Sequence, residues 1–383
     1  MVNNQKYNQR NIILLGAVSF LNDIASKIIL PILPLFIKEI GGGGIAIGLV
    51  SGVGESIASL FKMLAGFLSD KFGKRKPFVF IGYLISAISK LFFAFTHSWP
   101  QVLFLRSCER FGKGIRSAPR DAILAASSPK EKRGENFGIH RAMDSGGAVL
   151  GAIIAFVLFW YMGFGFRKIF LVAGIFAFLA LLPLIFVKEK KQESKEISLK
   201  IGLKNLPKNL RIFIIIATLF ALGNFSYMFF VLKSQDYFSG KFAIGIPILL
   251  YILYNTSYTL FAVPAGILSD KIGRRKVLLL GYALFGLVCL GFVFAKSITM
   301  FVLLFIIFGL NYALVNANQR AFVSDLSKED FRGTALGTFH MAISLATLPA
   351  GLIAGVLFDL NPVFPFIYGT IVSLLTVILL LFL

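Results

Sequence analysis

The sequence predicts an all-α integral membrane protein of twelve transmembrane helices, arranged as two pseudo-symmetric six-helix halves. Three observations carry this. Hydrophobic residues make up 57% of the chain and charged ones only 15%, where soluble domains hold about 45–50% apolar and roughly 25% charged residues. The apolar residues come in long runs, clearest at 12–37, 78–95, 153–187, 212–232, 277–295 and 364–383, and a bilayer core needs about 20 of them per helix. Finally, "GFLSDKFGKRKP" from position 66 returns as "GILSDKIGRRKV" from position 266, with eight of twelve residues shared.

The first span, 11–37, follows a short polar tail without a cleavage-site pattern. Five more complete an N-terminal half, 1–187: 45–69, 78–96, 99–126, 138–162 and 167–187. The stretch 188–211 is the longest polar segment and reads as a basic cytoplasmic linker. The C-terminal half, 212–383, holds spans at about 209–233, 243–269, 277–296, 299–325, 333–357 and 364–383. Spans two, four, eight and ten are interrupted by Gly or by charge. With one gap, "RDAILAASSPKEKRG" and "RAFVSDLSKEDFRG" also align between the halves.

Lys and Arg collect in alternate links, while "GGGG", "THSWPQ" and "LNPVFP" on the other side carry little charge. The positive-inside rule therefore puts both termini in the cytoplasm of a multi-pass protein of the cell (plasma or inner) membrane. The net charge of +21 is a membrane signature in this placement, and no nucleic-acid partner is expected. Cys108 and Cys289 fall inside spans, which argues against a disulfide framework.

The doubled phrase carries a family resemblance. Gly66, Asp70, Lys71, Gly73, Lys74, Arg75 and Lys76, with their copies Gly266, Asp270, Lys271, Gly273, Arg274, Arg275 and Lys276, resemble the signature loop of the major facilitator superfamily. The resemblance implies that family's fold, a monomer, and loops that act as a latch holding the cytoplasmic side shut in the outward-open state. A carboxylate at such a helix end can accept hydrogen bonds from a neighbouring helix N-terminus, and the basic cluster suits anionic lipid heads. In span four, Arg110 and Gly114 are similar to the fourth-helix motif of proton-coupled members, with Lys113 where Gln is common and Arg116 where Gly is common. Residues 147–152, "GAVLGA", are similar to the Gly-Pro-x-Leu-Gly-Gly motif of the family's antiporters, with Ala148 in the proline place and Ala152 in that of the last glycine. The resemblance is thus to proton-coupled antiporters and efflux-type members.

An ionisable group at bilayer depth costs about 2.5–3.5 kcal/mol on insertion scales and usually faces a cavity or a partner. The first half is crowded with them: Asp23, Lys27, Glu55, Lys62, Lys90, Arg106, Glu109, Arg110, Lys113, Arg141 and Asp144. Asp23 with Lys27 and Glu109 with Lys113 are spaced i,i+4, and Arg141 with Asp144 i,i+3, so each pair shares a helix face. Asp23 and Glu55 are the expected proton carriers, with Asp144 and His140 a second candidate. Cations outnumber acids, which points to an anionic substrate or to a shallower depth for Arg116 and Arg120. The second half offers amides and aromatics instead, among them Asn224, Tyr227, Tyr254, Asn255, Tyr258, Asn311 and Asn316. These suit hydrogen bonding and stacking.

No P-loop, zinc-ligand spacing or nucleophile elbow occurs, so an enzyme, a cofactor and a resident metal are not expected. The expected partners are a small-molecule substrate, protons and the lipid bilayer. The reading is a secondary active transporter working by alternating access, with proton-coupled export of a small organic solute first. Proton-coupled import of an organic anion and export of a divalent metal ion stay open beside it.

Overall fold

The computed structural model describes residues 9–129, 132–189, 206–327 and 332–383, without the side chains of residues 70, 133, 134, 317, 332 and 333. Most of the predicted linker, and the Asp70 carboxylate, thus lie outside the described residues. Among those described, all regular structure is helical. The elements are α1 (Gln9–Ile29), α2 (Leu33–Glu39), α3 (Gly44–Phe72), α4 (Lys76–Phe92), α5 (Trp99–Ser127), α6 (Arg133–Trp160), α7 (Phe166–Leu179) and α8 (Leu181–Ile185), then α9 (Lys208–Gly223), α10 (Tyr227–Gln235), α11 (Phe242–Ile272), α12 (Arg274–Phe294), α13 (Ile298–Asp325), α14 (Arg332–Leu360) and α15 (Phe364–Leu381).

Each predicted span is present, nine as single helices and three as broken pairs. Span one breaks between α1 and α2 at Pro31, whose ring removes a backbone donor. Span six breaks at Ala180, ahead of Pro183. Span seven breaks after Asn224, and Ser226 restarts the helix as α10 by accepting the Met228 amide at 3.3 Å. The spans interrupted by Gly and charge are each one unbroken helix: α3, α5, α11 and α13 hold 29, 29, 31 and 28 residues. Among the described residues, 11 spans are long and apolar enough to cross a membrane. The remaining one, α5, has the length but too much charge.

The helices form two compact units. The first gathers α1, α3 from Ile57 onward, and α4 to α8. Its core packs Leu15, Val18, Val79, Tyr83, Leu124 and Leu184 together. Here α1 lies along α6, and Gly147 and Gly151 face the Phe20 and Ile24 backbones so closely that a methyl group would collide with a carbonyl oxygen. The glycines of the "GAVLGA" stretch therefore set a helix–helix distance.

The second unit gathers Leu33–Ser56, the three residues Ser98–Pro100, and α9 to α15. Its centre is aromatic: Phe230 stacks on Phe308 at 4.4 Å, and Phe292 on Phe366 at 5.2 Å. Within it, Gly48 lies against Gly351, and Asp359 at the end of α14 accepts the Gly44 and Ile45 amides at 2.5 and 2.9 Å. That carboxylate supplies the negative charge that a helix N-terminus favours. Lys38 of α2 pairs with Asp236, just after α10, at 2.8 Å.

Candidate functional site

On α5 the charges recur at positions 106, 109, 110, 113, 116 and 120. This is the i, i+3, i+4 spacing of one helix face. Four of them are buried: Arg106, Glu109, Arg110 and Arg116. A buried charge needs a partner and hydrogen bonds to be tolerated, and several of these come from α5 itself and from the neighbouring helices. Arg106 donates to Glu109 at 2.8 Å. Arg116 donates to the Ser86 hydroxyl at 2.5 Å and the Gly82 carbonyl at 3.3 Å, with its guanidinium 4.3 Å from the centre of the Tyr83 ring. Arg120 pairs with Asp121 at 2.9 Å and donates to Ser19 on α1 at 3.1 Å. Ser19 also meets His140 of α6, Oγ to Nε2, at 2.9 Å.

Asp23 lies at the heart of this set, half-buried on α1. Its electrostatic neighbours are Asp144 on α6, Lys113 on α5, Lys27 on its own helix and Lys90 on α4. Asn22 donates to it at 3.4 Å. Asp144 is itself bonded by Arg141 at 3.3 Å. One carboxylate with a second acid and three lysines around it is a group whose charge state depends on small shifts of its neighbours. Glu109 has Arg106 as its ion-pair partner three residues back. Glu55 is exposed and belongs to the second unit, whereas Asp23 belongs to the first; Lys62 is exposed on the first unit's part of α3.

In the second unit the tyrosines form a connected series. Tyr227 and Tyr251 have ring centres 5.0 Å apart, Tyr251 and Tyr254 6.2 Å, Tyr254 and Tyr312 5.9 Å, and Tyr312 and Tyr258 4.9 Å. Asn255 gives its amide to the Tyr251 carbonyl at 2.8 Å. Asn311 gives its own to the Gly281 carbonyl at 2.6 Å, tying α13 to α12. Asn224 ends α9, and Asn316, half-buried, accepts from Arg320 on its backbone oxygen at 3.2 Å.

Each signature loop turns on a glycine in the left-handed region, Gly73 at φ 63° and Gly273 at φ 96°. Glycine reaches that conformation without steric cost. In the first loop the Arg75 and Lys76 amides donate to Glu189 at 2.7 and 2.8 Å, and Lys76 Nζ caps the Ile185 and Val187 carbonyls at 2.9 and 2.7 Å. In the second, Arg274 bonds Asp270 at 2.8 Å and Asp325 at 3.1 Å, while Arg275 donates to the Leu380 and Leu381 carbonyls at the end of α15. Gly66 and Gly266 lie within α3 and α11, and Lys71, Lys74, Lys271 and Lys276 are exposed.

Sequence reasoning did not single out Ser19, Asn22, Tyr83 or Ser86. The signal available was spacing: Ser19 precedes Asp23 by four residues and Ser86 precedes Lys90 by four, one helical turn in each case.

The chain matches the sequence model of the Major Facilitator Superfamily over residues 15–253 and 213–383. An uncharacterized MFS-type transporter of Methanocaldococcus jannaschii is 48% identical over 383 residues, covering 99% of this chain and 96% of that protein. The quinolone resistance protein NorA of Staphylococcus aureus is 24% identical over 94% of this chain and 93% of its own. The multi-drug resistance efflux pump PmrA of Streptococcus pneumoniae is 31% identical over 45% of this chain and 44% of that protein. Among solved structures, the nucleoside transporter NupG superposes with a TM-score of 0.79 at 17% identity, covering 97% of both chains.

Proposed function

Because the chain belongs to the Major Facilitator Superfamily and is a multi-pass membrane transporter, not an enzyme, we propose that it exports a small organic solute in exchange for protons. Alternating access is the working cycle, with both termini in the cytoplasm of the cell membrane and a monomer as the functional unit. The observation that carries this reading is Asp23, an acid inside a span with Asp144 and three lysines as its electrostatic neighbours. The outward direction is supported by the similarity to PmrA, named an efflux pump. In this reading Asp23 carries the proton, the tyrosine series contributes the stacking surface, and the two signature loops are the latch.

The protein reconstituted in liposomes, with ethidium as a cationic probe, tests this. A pH gradient drives ethidium movement in the wild type, and Asp23→Asn abolishes it while ethidium binding, read as a rise in melting temperature, persists. Full proton dependence in Asp23→Asn would exclude Asp23 as carrier.

A second reading, proton-coupled import of an organic anion, is favoured by the cationic surplus on α5. Stabilisation by benzoate and not ethidium, lost in Arg110→Ala, supports it. The divalent-metal reading is not carried further: among the described residues no three His, Cys, Asp or Glu side chains gather in one group.

A further inference from the structure

We propose that Lys90 is a positioning residue for Asp23, acting through the side-chain amide of Asn22. The proposal rests on the reading of Asp23 as proton carrier. Lys90 stands on α4 with only 1% of its surface exposed. A lysine that deep usually finds a carboxylate. Here its hydrogen bonds go to Asn22 on α1, at 2.8 Å to Oδ1 and 3.4 Å to the backbone oxygen. The far end of the same amide, Nδ2, donates to Asp23 Oδ1 at 3.4 Å.

An amide has one acceptor end and one donor end. With an ammonium on the first and a carboxylate on the second, both charges hold it in a single orientation. Asn22 is 5% exposed, so little water reaches it to compete. The charged groups facing Lys90 are Glu109, Arg106 and Arg116 on α5 and Asp23 on α1. Those facing Asp23 are Asp144, Lys113, Lys27 and Lys90 itself. Glu109 is engaged by Arg106 at 2.8 Å, which leaves Asn22 as the link from the buried lysine to the carrier.

The chemical consequence concerns which oxygen takes the proton. Asp23 Oδ1 accepts from Asn22 Nδ2 in the carboxylate and remains the carbonyl oxygen in the acid, so the proton goes to Oδ2. Lys90 fixes that choice from another helix without touching the carboxylate.

Infrared difference spectra of the purified full-length protein, between alkaline and acidic pH, test this. The C=O band of protonated Asp23 is the one lost in Asp23→Asn. In Lys90→Met and in Asn22→Ala that carbonyl loses its ordered donor, so the band moves to higher wavenumber, and Lys90→Arg returns it toward the wild-type position. Asn22→Ala keeps the ammonium and tests the link even if Lys90→Met does not fold. A band unmoved in either folded variant overturns the positioning role and leaves the proton-carrier reading standing. A wild-type spectrum with no Asp23 band overturns both.

Discussion

The two copies of the signature loop share a positive-φ turn and, among the described residues, are held by different partners. Gly73 and Gly273 both turn with positive φ, and in each unit a basic residue of the loop captures the carbonyls that end the last helix, Lys76 at α8 and Arg275 at α15. The first loop then hands two backbone amides to a single carboxylate, Glu189. The second spends its acids on a side-chain chain, Asp270–Arg274–Asp325. The duplicated phrase thus repeats a turn and a way of closing a helix bundle, while the first loop draws on Glu189 from outside the phrase and the second on its own Asp270 together with Asp325. An amide pair on a carboxylate is a helix-start bond that little else can replace. Exposed ion pairs can be lost at small cost.

That contrast can be broken at four positions. Glu189→Ala has the largest expected effect on stability, about 2 kcal/mol, because hydrogen bonds to a charged acceptor are worth roughly 1.5–3 kcal/mol. Chemical or thermal unfolding of the purified protein in detergent reads it, and an equal loss in Glu189→Gln shows whether the charge itself is needed. Gly73→Ala and Gly273→Ala come next, at about 1–2 kcal/mol each, the cost of holding a residue with a Cβ at positive φ. Among the described residues beyond its chain neighbours, no atom lies within 4 Å of where the Gly273 methyl would stand, so there the loss measures backbone strain. Asp325→Ala is the smallest, below about 1 kcal/mol for a pair half open to water. Raising the salt concentration erases the Asp325 effect and spares the glycine ones. A large, salt-insensitive loss in Asp325→Ala would show that the second loop is anchored as firmly as the first.

The helices were legible because burial in a bilayer writes itself into composition, span by span. The breaks were not, because hydropathy records transfer out of water and says nothing of whether the hydrogen-bond ladder continues. Pro31 stops a helix, whereas Pro119, Pro247, Pro264 and Pro349 sit inside unbroken ones. Around the site, Asp23, Arg106, Glu109 and Lys113 stood out as costly charges in an apolar run. Asn22 did not, since a neutral amide reads as a packing residue until its partners are seen. Asn311 is the converse, a residue that reads as cavity lining and gives its amide to Gly281.

The division of α3 bears on how this gene can be dissected. Its residues to Ser56 pack with α9 to α15, and those from Ile57 pack with the preceding half. A fragment beginning in the linker would therefore leave Asp359 without the Gly44 and Ile45 amides, Ser344 without the Ser56 hydroxyl at 2.7 Å, and Gly351 without Gly48. Separately expressed halves should then accumulate only when made in the same cell, each serving as the other's missing piece. A cut placed to keep 33–56 with the second fragment would have to sever a continuous helix to do so.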